Sequence, residues 1–432
     1  MIISFTVRNY KSLKDETTLH FSAVANDKIH PENIAYPDKN EKIPVVRSVG
    51  IWGANASGKS NVLDALQALC SLVNRSHRND LDGKIREYRP CMLKSECKKS
   101  PIFFELDFID KNKEHYIYTV EFLEDRIIKE SLEFYDSPKP TTLFLRELTV
   151  DGKTPIKFSS KLTGAKAISY LDNQAYLSVA GNTSDSSELI KNAYRYIRDG
   201  INFISHDELS IEYLTDDIYR KKLAALLHCS DTGITNVNYQ KRELSEDVLK
   251  HFPKEMPEKI RERILSDLQA EPIFLHQNSD AEFHREDESA GTRRLYSIAP
   301  YILKGISLPE VFVFDELERE LHPKLAEMII RLFHDEKVNG NNPQLLFTTH
   351  NTSLMNSDLF RRDQICLTQK RENGATELSS LADYDKVRPD TNFEKWYREG
   401  RFDAIPELNY EMLRDTICAS FYADKIEDNH DE

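Results

Sequence analysis

The chain has 432 residues, 40% of them hydrophobic and 30% charged, with a formal net charge of −14. That length allows a large core and more than one lobe, and the composition suits a globular protein that folds in water. The acidic balance excludes a chain that is basic overall for nucleic acid, while leaving room for a local basic face.

Residues 1–23 alternate apolar and polar in Ile3-Ser4-Phe5-Thr6-Val7 and again around Thr18-Leu19-His20-Phe21, which predicts an antiparallel pair of strands. Arg8-Asn9-Tyr10-Lys11-Ser12 between them is either a basic turn that approaches a nucleotide or a solvated hairpin. Residues 24–44 are polar, carry Pro31, Pro37 and Pro44, and read as a loop. Val45 to Trp52 is mostly apolar and β-branched, as a buried strand requires.

Gly53-Ala54-Asn55-Ala56-Ser57-Gly58-Lys59-Ser60 then fits G-x-x-x-x-G-K-[ST] at every required position, and Asn61 to Leu69 continues with helical spacing of apolar residues. Glycines at 53 and 58 let the backbone turn so that its N–H groups point inward at phosphate oxygens, helped by the positive end of the following helix. Lys59 reaches terminal phosphates, and the Ser60 hydroxyl is a Mg²⁺ ligand candidate. The bland alternative is a glycine turn that merely opens a helix.

From Pro101 to Glu147 several strand-like runs follow, among them Phe103–Phe108 and His115–Phe122, joined by the turn Asp110-Lys111-Asn112-Lys113. Tyr116, Tyr118, Val120 and Phe122 are expected on one face. Between about 160 and 270 the pattern turns helical, over Ser187–Tyr196, Asp217–Leu227 and Pro257–Leu268. About 230 residues separate Ser60 from the next motif, too many for a loop, so this region is expected to be a helical insertion.

Glu288-Ser289-Ala290-Gly291-Thr292 at a helix start is either a second anion site or a capped helix. Val311-Phe312-Val313-Phe314 reads as a central strand ending in Asp315 and Glu316. Adjacent residues point in different directions, so Asp315 can organise Mg²⁺ while Glu316 deprotonates a water; the alternative is a strand that ends in surface acids. Gln344 to Thr349 is another apolar strand, ending in His350, which is either structural or functional. Six scattered cysteines, Cys70, Cys91, Cys97, Cys229, Cys366 and Cys418, suggest neither a zinc site nor a disulfide framework. No stretch approaches a signal peptide or a membrane span, so a cytoplasmic protein with no membrane partner is expected. The tail Asp424–Glu432 is acidic and is expected to be disordered.

In this order the motifs resemble the ATP-binding-cassette ATPases, in their RecF/SMC/OLD-like branch. The resemblance implies an α/β fold: a P-loop ATPase head of mixed β core and antiparallel β lobe, interrupted by the helical insertion. It implies ATP and Mg²⁺ as cofactors. Gly53, Ala54, Asn55, Ala56, Ser57, Gly58, Lys59, Ser60 and Asn61 would contact the nucleotide, and Ser60 and Asp315 the metal. Glu316 matches the catalytic base, His350 the γ-phosphate-sensing histidine, and Lys59 the phosphate contact. Ser289, Gly291 and Thr292 stand where the family's signature loop has its serine, glycine and glutamine. His322 departs from the pattern, since an aspartate is common there.

A closer resemblance, carried by Phe5–Ser12, Glu288–Thr292, Leu321-His322-Pro323, Arg362–Ile365 and Gly400–Pro406, is to the RloA group of prokaryotic AAA-type ATPases found in anti-phage systems such as PARIS and RloA–RloB. It implies an ATPase that works as a homodimer or higher oligomer with ATP at the interface, and a co-encoded effector as partner. Domains are expected at 1–155 (phosphate-loop lobe), 156–272 (helical insertion), 273–390 (signature, acid pair and histidine) and 391–432 (extension and acidic tail). After His350 about 80 residues remain, short for the Toprim nuclease domain of an OLD-type enzyme. The alternative function is a RecF/SMC-like DNA-repair ATPase, with DNA or RNA as partner and contacts from Arg47, Lys84, Arg86, Arg89, Arg293 and Arg294. A nuclease with its own active site is the weakest reading.

Overall fold

Alternating apolar residues build the first layer. In the computed structural model, which describes residues 1–162, 168–204, 214–241, 243, 258–405 and 409–427, β1 (Ile2–Arg8) pairs antiparallel with β2 (Thr17–His20), as expected. The stretch over 24–44 is mostly loop, but β3 (Ile34–Ala35) within it pairs with β4 (Val45–Val46). Arg47 separates β4 from β5 (Ser48–Gly53), every residue of which is buried. β5 runs through the glycine loop into α1 (Lys59–Arg75). β6 (Ile102–Ile109), β7 (His115–Phe122), β8 (Ile127–Tyr135), β9 (Thr141–Glu147) and β10 (Ile156–Phe158) complete a seven-stranded antiparallel sheet ordered β10-β9-β8-β7-β6-β1-β2. Tyr116, Tyr118, Val120 and Phe122 are all buried on one face of β7, because the two-residue period puts them there.

The next segment departs from expectation. It contains α2 (Tyr176–Gly181), α3 (Glu188–Asp199), β11 (Ile201–Ile204), α4 (Asp217–Cys229), β12 (Ile234–Lys241), α5 (Glu258–Gln269), β13 (Ala270–His276) and β14 (Glu282–His284). The span 156–272 is therefore not purely helical. It contributes β10 to the antiparallel sheet, β11 to a parallel one, and β12 and β13 to a third sheet with β14. Ile201–Ile204 has four residues, too few to separate a helical from a strand period; the open edge of β15 decides it. Of the expected helix Pro257–Leu268, Pro257 lies outside the described residues.

α6 (Ala290–Gly305), β15 (Val311–Phe314), α7 (Pro323–His334), β16 (Gln344–Thr348), β17 (Ile365–Lys370), β18 (Thr376–Ser380), α8 (Phe393–Arg398) and α9 (Tyr410–Glu427) follow. α9 runs through Asp424 to Glu427, where a disordered tail was expected; residues 428–432 lie outside the described residues. The second large sheet is ordered β11-β15-β16-β5-β17-β18 and is parallel except at β17–β18. One of its faces shares a core with α1 and the antiparallel sheet, through Leu66, Leu69, Phe104 and Phe122. The other packs Ile298 and Ile302 of α6 and Ile329 and Phe333 of α7. The C-terminal ends of β15, β16 and β5 consequently lie side by side, where open α/β sheets place their ligands.

The last turn of α7 inserts a histidine beneath β5. His334 Nε2 lies 2.7 Å from Ser48 Oγ, and Gln364 Nε2 donates to the same hydroxyl at 2.9 Å. Burial, reinforced by His30, Arg47 and Arg331, lowers the imidazole pKa from 6.5 to about 3. The unfolded chain thus binds this proton near pH 6.5 and the native state only near pH 3. The stabilisation is complete above 6.5 and is lost as pH falls towards 3, at up to about 1.4 kcal/mol per pH unit. Urea unfolding at pH 7.5, 6.0 and 5.0 is expected to show stability falling more steeply in wild type than in His334→Gln; equal slopes would show that this histidine does not govern acid sensitivity.

Candidate functional site

The glycine loop joins the end of β5 to the start of α1. Gly53 and Gly58 have φ of 152° and 109°, and Ala56 adopts 60°. These left-handed positions turn successive N–H groups to one side, making an anion-binding concavity. Space also demands the glycines: a Cβ at Gly53 would strike the Thr368 carbonyl, and one at Gly58 the Thr376 hydroxyl. No side chain caps α1 at Gly58, so its first amides remain open to an anion. Asn55, Ala56 and Ser60 are exposed on the open side.

The loop is clamped from behind. Ser57 Oγ lies 2.6 Å from Thr368 Oγ1, and Thr376 Oγ1 donates to the Ser57 carbonyl at 2.8 Å. Ser12 Oγ lies 2.7 Å from Thr376 Oγ1 and accepts from Asn61 Nδ2 at 2.6 Å. The basic turn Arg8–Ser12 therefore does reach the loop, through its serine; Arg8 pairs instead with Glu121 and Glu16.

Lys59 is 6% exposed and its Nζ donates to the carbonyls of Gly53 at 2.9 Å and Ala54 at 3.1 Å. Burial lowers its pKa, opposed by Glu316, Asp315 and Glu318. Ser60 Oγ donates to Asp315 Oδ1 at 3.2 Å, and Thr348 Oγ1 donates to the same oxygen at 2.5 Å. The next backbone N–H, of Glu316, donates to Thr348 Oγ1 at 2.8 Å. Glu316 has φ of 54°, a conformation that costs energy for a non-glycine residue. Its Oε1 lies 3.7 Å from His350 Nε2, and His350 Nδ1 lies 3.4 Å from Lys59 Nζ. His350 N donates to Glu318 Oε1 at 2.7 Å. Lys59, Ser60, Asp315, Glu316 and His350 thus meet in one place.

Ser289, Gly291 and Thr292 stand apart. Thr292 N donates to Ser289 Oγ at 3.1 Å, so the turn is a capped helix start, and Thr292 is buried. A Cβ on Gly291 would meet the Glu320 carbonyl at 2.9 Å and Ser289 Oγ at 3.9 Å, with no atom of the chain's own glycine loop within 4 Å. Ser289 itself is exposed. His322 caps α7, its Nδ1 accepting from Lys324 N at 3.2 Å.

Thr348, Thr368, Thr376 and Glu318 escaped the sequence reading. Each comes from a strand or turn far along the chain, and a lone threonine in a strand carries no signal. The expected basic contacts also separate. Arg47 is buried and bonded to Asn339 and Asn342, Arg294 is buried, and Lys84 pairs with Glu124. Among the described residues no three His, Cys, Asp or Glu side chains cluster as metal donors, and no helix is long and apolar enough to cross a membrane. A nucleotide-bound Mg²⁺ fits the residues present, since Ser60 and Asp315 already converge and phosphate oxygens complete such a site.

Among solved structures, the chain aligns with the recombination mediator protein RecF with ATP, of the RecFOR pathway, at 13% identity and a TM-score of 0.35, over 88% of this chain and 97% of that one. It aligns with CbiO1 of Clostridium perfringens, part of the ABC transporter complex CbiONQ, at 12% identity and a TM-score of 0.28, over 88% and 90%. No curated protein matches the sequence. The family model described as "AAA domain, putative AbiEii toxin, Type IV TA system" matches residues 48–356, from the strand before the glycine loop to beyond His350. With most of its length so matched, glycine loop, acid pair and histidine included, the chain belongs to this AAA-domain family.

Proposed function

We propose that the protein binds Mg-ATP at Gly53–Asn61 and hydrolyses it between two copies of the chain, as a cytoplasmic switch or scaffold that controls a partner effector. The observation that carries this reading is the convergence of Lys59, Ser60, Asp315, Glu316 and His350 while Ser289 is exposed and stays out of that cluster. Half of the site is built within the chain, and the exposure of Ser289 supports a role for it at a second copy's nucleotide. A role in anti-phage defence is supported by the resemblance in Phe5–Ser12 and Leu321–Pro323 to RloA-type ATPases.

The residues divide the work. The loop amides and the helix start hold phosphate oxygens, and Lys59 exchanges its two carbonyl partners for the terminal phosphates. Mg²⁺, when bound, supplies neutralising charge to those oxygens, and Ser60 and Asp315 would hold it. Glu316 accepts a proton from the attacking water as its oxygen bonds to the γ-phosphorus and the bond to the β–γ bridging oxygen breaks. His350, within 4 Å of both Glu316 and Lys59, positions the reacting phosphoryl group.

Light scattering after gel filtration, with phosphate release measured alongside, tests this. Glu316→Gln is expected to bind ATP, to lose at least about a hundredfold in turnover, and to double its mass with Mg-ATP. Lys59→Ala is expected to lose ATP binding and any change of mass. Wild-type turnover in Glu316→Gln would remove it as the base, and a mass indifferent to ATP would remove the sandwich. Thr376→Val keeps the shape but removes the hydroxyl bridging Ser12 and Ser57; affinity for a fluorescent ATP analogue is expected to fall about tenfold, and an unchanged affinity would show that the clamp is not needed.

A further inference from the structure

α1 is buried along most of its circumference, yet one stripe stays polar and open. Asp64, Ser71, Asn74 and Arg75, at helical spacing, floor a cavity of about 430 Å³. From Asp64 to Arg75 the helix rises about 16 Å. Arg86, Arg89, Arg198 and Phe203 also line this groove. No residue of Gly53–Asn61, nor Asp315, Glu316 or His350, lines it.

The charges around the cavity do not cancel. Asp64 is paired with Lys11, Glu87 accepts from Ser71 Oγ at 2.6 Å, and Arg198 is paired with Asp199. Among the described residues, the side chains of Arg75, Arg86 and Arg89 make no hydrogen bond or ion pair. Arg75, Arg86 and Arg89 outnumber the one lining carboxylate, Glu87, that no cation pairs, so positive charge remains in the groove of a chain whose net charge is −14. An anion offsets that charge, and the planar arginine fork matches phosphate oxygens in particular. Phe203, half-buried, offers a ring face for a base, and Asn74 an amide for its edge. A cavity of this volume suits a small ligand. The overall negative field works against a long polyanionic strand.

We propose that this groove is a second ligand site, separate from the ATP site, for a small nucleotide-class ligand carrying at least two phosphates. It shares α1 with the ATP site, so both ligands would bear on one rigid element.

Calorimetric titration with a 5′-phosphorylated dinucleotide tests this in two backgrounds that exclude the ATP site: Lys59→Ala, and wild type saturated with a non-hydrolysable ATP analogue. Saturable binding at one site per chain is expected, with inorganic pyrophosphate competing. Adding Arg86→Ala and Arg89→Ala should weaken it at least tenfold without changing the melting curve, because both side chains are exposed. No binding in either background, or equal binding with the arginines removed, would overturn the proposal. So would binding of a 20-nucleotide strand or a polyglutamate peptide without the dinucleotide. Because ATP binding is blocked or saturated throughout, failure here leaves the ATPase reading untouched, and failure of that reading leaves this one standing.

Discussion

A loop whose amides all point one way cannot hold that shape alone, because its own dipoles repel and its left-handed Ala56 is strained. Here hydroxyl groups hold it. Thr368 and Thr376, from neighbouring antiparallel strands, fasten Ser57 by side chain and carbonyl, and they leave no room for a Cβ at Gly53 or Gly58. The loop is thus shaped by β17 and β18, more than three hundred residues along the chain, as much as by its own glycines. Everything else at the site follows from where β5 sits between β16 and β17.

That position needs the two large sheets to stay in register, and buried polar ties do this where an apolar core would allow sliding. Gln344 at the start of β16 accepts from Ile2 N at 2.8 Å and donates to the carbonyls of Ile2 and Val46 at 3.1 Å, linking three strands through one amide. Arg361 and Asp363 form a buried pair that also anchors the loop after β2, through the carbonyls of Asp27 and Ile29 and the Val24 amide. Within the antiparallel lobe, buried Arg146 and Glu130 lie 3.6 Å apart, and Glu130 accepts from the amides of Tyr176 and Leu177. Such directional contacts specify one arrangement, since a slip would leave buried groups unpaired.

Strain is placed where chemistry is proposed. The left-handed Glu316 lies two residues beyond the end of β15, held there by Thr348 and by the Leu317 amide on the Thr348 carbonyl. Glu318 then reaches across to the His350 amide, so the turns after β15 and β16 are tied to each other. A change in one turn is therefore felt in the other.

The sequence by itself determined what local spacing can carry. The eight-residue glycine pattern, the apolar strand ending in two acids, the strand before the histidine and the alternation along β7 all survive in the structure, because each is set by neighbours within one element. The turn Glu288–Thr292 was legible as a cap or an anion site, and its capping bond is present. What only the tertiary structure decided are contacts between distant segments: the threonine clamp, the tether from Glu318, and the scattering of the basic residues, with Arg47 and Arg294 going inside and Arg86 and Arg89 to a groove. The same holds for Ile201–Ile204 and Ile234–Lys241, read as part of a helical region. A short run takes the conformation that a neighbouring edge offers it, and the hydrogen bonds of that edge do not exist until the chain has folded.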